Sequence, residues 1–253
     1  MRLSIIVKGM PLFSYLKELP TFLKQYREIR RQAGQSQSVF PFGKPYPCLM
    51  DRDQESGVLA EHYFYQDLYV ARKVFRNNPL RHVDIGSRID GFVSHVASFR
   101  EIEVLDVRDL PPTIPGVRFT RADLTARDFP LVDYCDSLSC LHALEHFGLG
   151  RYGDPVDFDG HLIGWENMTR MVKGGGKFYF SVPIGEQRIE FNAHRVFSLA
   201  YLLDLMKNRY AIDSFSCIND GQQFIADAVL DADSIRNNFG CRYGCGIFEL
   251  TKR

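Results

Sequence analysis

A short apolar strand, His82-Val83-Asp84-Ile85, runs straight into the glycine turn Gly86-Ser87-Arg88-Ile89-Asp90-Gly91. Twenty residues past Gly86 a second apolar strand, Ile102-Glu103-Val104-Leu105, ends in Asp106. An acid-glycine turn at the mouth of a buried strand cradles a nucleotide-like cofactor, and an acid closing the next strand accepts both hydroxyls of a ribose. The pair therefore points to an adenosine-containing ligand. An Asp-x-Gly alone also fits an ordinary strand-to-helix turn, so the rest of the chain must carry the argument.

Asp84 bears on which adenosine ligand is bound. Dinucleotides place a pyrophosphate on the glycine turn and the helix N-terminus behind it, where a carboxylate would repel it. S-adenosylmethionine brings a sulfonium and an ammonium to the same place and no phosphate. The turn also lacks G-x-G-x-x-G spacing, since Arg88 and Asp90 stand where glycines belong. S-adenosylmethionine is the cofactor expected, ahead of NAD.

Composition narrows the class. The chain has 253 residues, 45% hydrophobic and 25% charged, enough for one well-buried domain with a small appendage. Its 31 basic and 31 acidic side chains cancel, which argues against a nucleic-acid partner. No stretch approaches a membrane span, and Leu3-Ser4-Ile5-Ile6-Val7 is cut short by Lys8, too early for a signal peptide core. A cytoplasmic location is expected. Six scattered cysteines read as reduced, buried small hydrophobes; Cys241 and Cys245, the one local pair, lack further close ligands, and no metal site is expected.

Along the chain, residues 1–54 form a leader distinct from a main body over 55–253. Leu12, Tyr15, Leu16, Leu19, Phe22, Leu23, Tyr26 and Ile29 recur at helical spacing among basic residues. Packing on the main body or on a second subunit of a homodimer is preferred to contact with an anionic membrane. A helix is expected over 58–78, then strands over 82–86, 102–107, 117–122, 132–140, 176–182, 211–218 and 246–251, with helices over 91–99, 161–173 and 197–208. Short apolar strands alternating with helices mean an α/β fold, a doubly wound, mostly parallel sheet covered on both faces. Gly174-Gly175-Gly176 is expected to stop the helix before the fifth strand.

In open parallel sheets the ligand lies outside the carboxyl ends of the strands. The candidate cofactor residues are thus Asp84, Gly86, Ser87 and Arg88 at the first turn, Asp106 and Val107 after the second strand, Asp123 and Leu124 after the third, and Ser139 and Leu141 at the fourth. Asp123 suits an adenine amino group, or equally a turn or helix cap.

This order of acids, with the run Ser139 to His146 and the run Met171 to Pro183, resembles the class I S-adenosylmethionine-dependent methyltransferases over roughly residues 58–253. The block His142 to Gly160 resembles, within that superfamily, the domain of unknown function 268 family. The resemblance implies a seven-stranded, Rossmann-like methyltransferase sheet whose last strand runs antiparallel, with the cofactor over the first turn.

Methyl transfer to a hydroxyl needs a base that takes its proton. The candidates are His142, Glu145 and His146 after the fourth strand and His194 after the fifth, with His142 and His146 expected to share one face of a helical turn. Each histidine also suits a structural hydrogen bond. Tyr63, Gln66, Asp67, Arg151, Tyr152 and Arg195 are candidate acceptor contacts, Arg195 as a partner for a phosphate or carboxylate or as a surface ion pair. The acids Asp154, Asp157 and Asp159 suit a turn-rich lid better than a calcium loop, which would need a further Glu. The expected activity is O-methylation of a polar small molecule such as a saccharide in glycan biosynthesis. The competing expectation is a non-catalytic regulatory or scaffolding protein on the same fold.

Overall fold

The computed structural model describes residues 12–35, 41–49, 61–110 and 113–253, with side chains in the first helix from residue 17. The signal-like run at 3–7, the expected boundary at 54/55 and the first residues of the 58–78 helix lie outside them. The chain divides into two compact units, Met1–Leu59 and Ala60–Arg253. The first contains helix α1 (Leu12–Ala33), with Arg30 and Arg31 in its last turn, where cations complement the helix dipole. No described helix is long and apolar enough to cross a membrane.

The second unit is built on one sheet. Its strands are β1 (His82–Ile85), β2 (Ile102–Asp106), β3 (Val117–Arg121), β4 (Cys135–Leu141), β5 (Val172–Ile184), β8 (Tyr210–Ile218), β9 (Phe224–Ile225) and β10 (Gly244–Lys252), with a separate ribbon of β6 (Arg188–Glu190) and β7 (His194–Val196). The order is β3-β2-β1-β4-β5-β10-β8-β9, with β1 to β5 mutually parallel and β10 antiparallel to both β5 and β8. All seven expected strands are present, and the last long one runs antiparallel as the resemblance implied. The eighth is a two-residue edge strand. The order reverses between β1 and β4, which opens a crevice at their carboxyl ends.

Alternation along the strands feeds two apolar layers. Phe178 and Phe180 of β5 pack with Trp165 and Met168 of α4 (Gly160–Met171), whereas Tyr179 between them points to the opposite layer with Val70 and Val74 of α2 (Glu61–Asn77). On β10, Phe248 and Leu250 join the first layer and Ile247 the second. Helix α3 (Ser94–Ala97) continues an irregular turn over Ile89–Val93, shorter than the helix expected over 91–99. Helix α5 (Leu199–Met206) is capped by Ser198, whose hydroxyl accepts from the Tyr201 N–H. Helix α6 (Ala232–Asn237) precedes β10.

The triple glycine corrects an expectation. Helix α4 ends at Met171, and Gly174 to Gly176 lie inside β5 as a bulge. Cys135 pairs with Val172 and Ser137 with Lys177, so three extra residues of β5 loop out opposite Asp136. Glycine is needed there because Gly175 has φ +74° and a Cβ on Gly176 would meet the Asp136 carbonyl at 3.1 Å.

Candidate active site

At the switch point Gly86 closes β1 with φ +67°, its N–H donating to the Leu105 carbonyl. A Cβ there would stand 3.2 Å from the Ala143 Cβ and 3.9 Å from Asp106 Oδ2, so glycine keeps this floor open. Asp84 sits behind the turn. Its carboxylate accepts from the Ser87 N–H at 3.0 Å, the Ser87 hydroxyl at 2.7 Å and the Ser139 hydroxyl. It is fully buried, and burial pushes its carboxyl up to about 6 against those hydrogen bonds. Asp84 and Ser139 therefore organise the turn from beneath and do not line the cleft, unlike the direct cofactor contacts expected of them.

The cleft has two chambers. One, of about 550 Å³, lies over the ends of β2 and β3 between Leu105, Ala122, Leu124, Ala143 and Phe147, with Asp106, Val107 and Asp123 on its rim. Asp123 uses Oδ1 for the Thr125 N–H and hydroxyl. The second chamber, of about 940 Å³, extends past Gly86 and Ser87 to Tyr63, Arg88, Asp90 and Leu141. Gly86, Asp106, Arg108, His142, His146 and Tyr152 border both.

Asp106 is occupied by its own neighbour. Arg108 clasps it with Nε to Oδ1 at 3.0 Å and Nη2 to Oδ2 at 2.7 Å, and the guanidinium lies 4.4 Å from the Tyr152 ring centre. Arg108 was not among the expected site residues. Its spacing two residues beyond the acid was the available signal.

After β4 the chain turns sharply. His142 takes φ +53°, and a single turn of 3₁₀ helix over Leu144–His146 follows. His142 and His146 therefore do not share a helical face, which corrects the i, i+4 expectation. His142 Nδ1 donates to Glu145 Oε1 at 2.9 Å, both groups buried. Burial works against a charged His142 ring, but Cys245 and Glu145 outweigh it and hold the imidazole well above its ordinary value. His146 is held differently. Its Nδ1 lies 2.7 Å from the Ala193 carbonyl, and since a carbonyl only accepts, the proton sits on Nδ1 and Nε2 is bare. Burial lowers its pKa, leaving the ring neutral near pH 7.

The α2 wall divides between cleft and core. Tyr63 faces the second chamber, with the Arg88 guanidinium 4.8 Å from its ring centre. Gln66 and Asp67 are buried instead: Gln66 Nε2 donates to Asp67 Oδ1 at 2.9 Å, and Gln66 Oε1 accepts from Ser181 and, at 3.5 Å, from the Cys245 thiol. Their expected acceptor contacts give way to a packed polar network. A Cβ on Gly91 would fall 2.2 Å from Asp67 Oδ2, so that glycine makes room for the carboxylate.

His194 stands apart from both chambers, with Nε2 3.1 Å from Glu190 Oε2 and its ring 4.9 Å from that of Tyr243. Tyr243 in turn stacks on His62 at 5.8 Å, and His62 on His142 at 5.6 Å. Sequence reasoning missed His62 and Tyr243, because His62 lies on a helix and Tyr243 precedes the N-terminal end of the antiparallel β10, whereas the ligand is expected at the carboxyl ends of strands.

The expected acceptor role of Arg195 is also corrected. Its side chain is buried, with Nη1 donating to the Phe147 carbonyl at 2.6 Å and Nη2 to the Phe158 carbonyl at 3.1 Å. Those donors staple the 147–158 loop. Arg151 likewise donates to the Ala193 carbonyl at 2.9 Å. In the same loop Asp154 accepts from the N–H groups of Gly148 and Tyr152, and Asp157 from that of Asp159. These acids serve turns.

The residues present fit an adenosyl ligand. The first chamber offers an apolar slot for a purine, Asp106 stands where ribose hydroxyls would lie, and the Cβ-free floor at Gly86 gives the backbone close approach. Arg108 must release Asp106 for that fit.

Residues 122–239 match the family described as "Caenorhabditis protein of unknown function, DUF268". No curated protein matches the chain. Among solved structures the fold is similar to the [4+2]-cyclase SpnF, with a TM-score of 0.52 and 12% identity over 74% of this chain and 81% of that one. It is also similar to 1,6-didemethyltoxoflavin-N1-methyltransferase of Burkholderia thailandensis, solved with 1,6-didemethyltoxoflavin and S-adenosylhomocysteine. That TM-score is 0.51, at 12% identity over 98% of this chain and 93% of that one. The Rossmann-like methyltransferase fold is thereby established, and the DUF268 segment spans the block from which that family was expected.

Proposed function

We propose that this chain, a methyltransferase-fold protein carrying the DUF268 segment, is an S-adenosylmethionine-dependent methyltransferase acting on a hydroxyl of a polar small molecule. A saccharide, as in glycan biosynthesis, is the acceptor its surroundings favour. The observation that carries the reading is the two-chambered cleft at the switch point: an apolar slot edged by Asp106 and Asp123 opens past Gly86 onto a chamber with a neutral, bare-nitrogen histidine. The Burkholderia relative, solved with S-adenosylhomocysteine, supports the cofactor.

S-adenosylmethionine, when bound, supplies an electrophilic methyl group. Asp106 and Asp123 would hold its ribose and adenine, and the Gly86 turn its methionine end. His146 would take the acceptor's proton on Nε2, since Ala193 fixes the other nitrogen as a donor; such a base contributes typically ~10²–10⁴-fold. Tyr63, Arg88, Asp90 and Asp109 give the second chamber a polar wall suited to a polyol.

One observation favours a second reading, a protein of this fold that does not transfer methyl groups: Arg108 already fills both oxygens of the ribose carboxylate. Thermal unfolding with S-adenosylmethionine, S-adenosylhomocysteine or NAD separates the two. A ligand at 100 times its Kd adds about 2.7 kcal/mol, or roughly 5–11 °C for a domain of this size. A rise with the two adenosyl-sulfur ligands and not NAD, followed by methyl transfer to a sugar panel that His146→Gln slows, is expected. No rise with either would put the non-catalytic reading first.

A further inference from the structure

Behind the second chamber three residues from distant parts of the chain converge. His62 comes from α2, His142 from the turn after β4, and Cys245 from β10. One potential ligand atom from each lies within 4.8 Å of the other two, the one such grouping found among the described residues. All three are buried, at 6%, 8% and 0% exposure.

Two further observations point to a ligand. Nε2 of His62 and Nε2 of His142 are both buried without a hydrogen-bond partner. Buried polar nitrogens are normally satisfied, and two bare ones in rings stacked 5.6 Å apart beside a thiol make an unusual concentration. Glu145 adds the second: it binds His142 Nδ1 at 2.9 Å, which orients the ring and leaves Nε2 as the nitrogen available to a metal ion. Metal-bound histidines are held in this way, the far ring nitrogen donating to a carboxylate that orients the ring and raises its basicity.

We propose that His62, His142 and Cys245 form a binding site for a zinc ion, with the fourth coordination position left open. Two imidazoles and a thiolate are borderline-soft donors that suit Zn²⁺, whereas Mg²⁺ and Ca²⁺ require oxygen ligands. Zinc bonds of about 2.0–2.3 Å place tetrahedral ligand atoms about 3.3–3.6 Å apart, so closing from 4.8 Å asks each side chain to move by about 1 Å or less. Binding displaces the Cys245 thiol proton and the His142 Nε2 proton to solvent and forms one Zn–S and two Zn–N bonds. The three ligands pin α2 to the end of β4, where Tyr63, Leu141 and His142 border the second chamber, and to the start of β10. The site does not rest on the methyl-transfer reading, and it leaves His146 free as the base.

The test uses the full chain, stripped with a chelator and titrated with Co²⁺ as a spectroscopic probe, then with Zn²⁺ against a chromophoric competitor. The expected result is one equivalent bound per chain with a sulfur-to-cobalt charge-transfer band. Cys245→Ser abolishes the band, Cys48→Ser and Cys241→Ser keep it, and Glu145→Gln lowers zinc affinity about 10–100-fold. His62→Gln, with its fold checked by circular dichroism, is the second ligand variant and also loses stoichiometric binding. Absence of one-equivalent binding in the unmutated chain overturns the site. A band that survives Cys245→Ser, or zinc affinity unchanged in a folded His62→Gln, overturns it equally.

Discussion

Asp106 and Arg108 compete at the residue on which cofactor binding turns. A ribose contact to a charged acceptor is worth about 1.5–3 kcal/mol, so Asp106→Ala should weaken S-adenosylhomocysteine roughly 10–150-fold by isothermal titration. Arg108 is half exposed, and such a pair contributes at most about 1 kcal/mol. Arg108→Ala should therefore leave affinity unchanged or tighten it by up to about fivefold; a tenfold loss would make Arg108 a ligand contact. Asp84 yields a different prediction, on stability. Its folded pKa of about 6 stands above the ordinary 3.8, so the protonated form is favoured on folding. Its contribution is present below about pH 4 and lost as pH rises through 6, about 2–3 kcal/mol in all. Urea unfolding of the unmutated chain and Asp84→Asn should show the unmutated chain losing that amount of stability relative to the variant between pH 4 and pH 7. A constant difference would mean that Asp84 is not desolvated. Both acids could be placed at strand ends from sequence, but only one faces the cleft. The Asp-x-Gly pattern marks the turn and says nothing about which way Ser87 and Ser139 draw the carboxylate.

At the scale of elements, strand and helix positions were legible because alternation and helical period record burial, and burial is what a two-layered parallel sheet imposes. What periodicity could not read was irregular backbone. The Gly174 to Gly176 bulge looks like a helix stop because glycine marks both, and only the pairing of Cys135 and Ser137 across β4 tells them apart. The left-handed turn at His142 likewise breaks the helical spacing that its sequence suggests. Arg195 shows the energetic side of the same limit. Its guanidinium links β7 to the 147–158 loop through two part-buried carbonyl contacts, a role no local pattern announces. Arg195→Met would leave those carbonyls without a donor and should cost about 1–3 kcal/mol, seen as a fall in Tm of roughly 2–12 °C. A residue that bound an acceptor phosphate would instead raise KM at unchanged Tm.

For the whole molecule, the His62, His142 and Cys245 convergence marks what a linear reading cannot reach: 80 residues separate the first pair and 103 the second, and only the closing of β10 onto β5 brings Cys245 near. The cleft itself is drawn from a narrower span. Its described lining residues run from Tyr63 to Asp154, all within Ala60–Arg253, and the carboxyl ends of β1 to β4 supply its floor. The described residues of the two apolar layers that hold this sheet likewise come from the second unit. A chain of residues 60–253 should therefore fold and bind S-adenosylhomocysteine with the Kd of the full chain to within about twofold, which is about 0.4 kcal/mol. Isothermal titration on both chains decides it. A loss beyond tenfold in a folded 60–253 chain would mean that the leader completes the site, and would turn its basic helix from an appendage into part of the binding machinery.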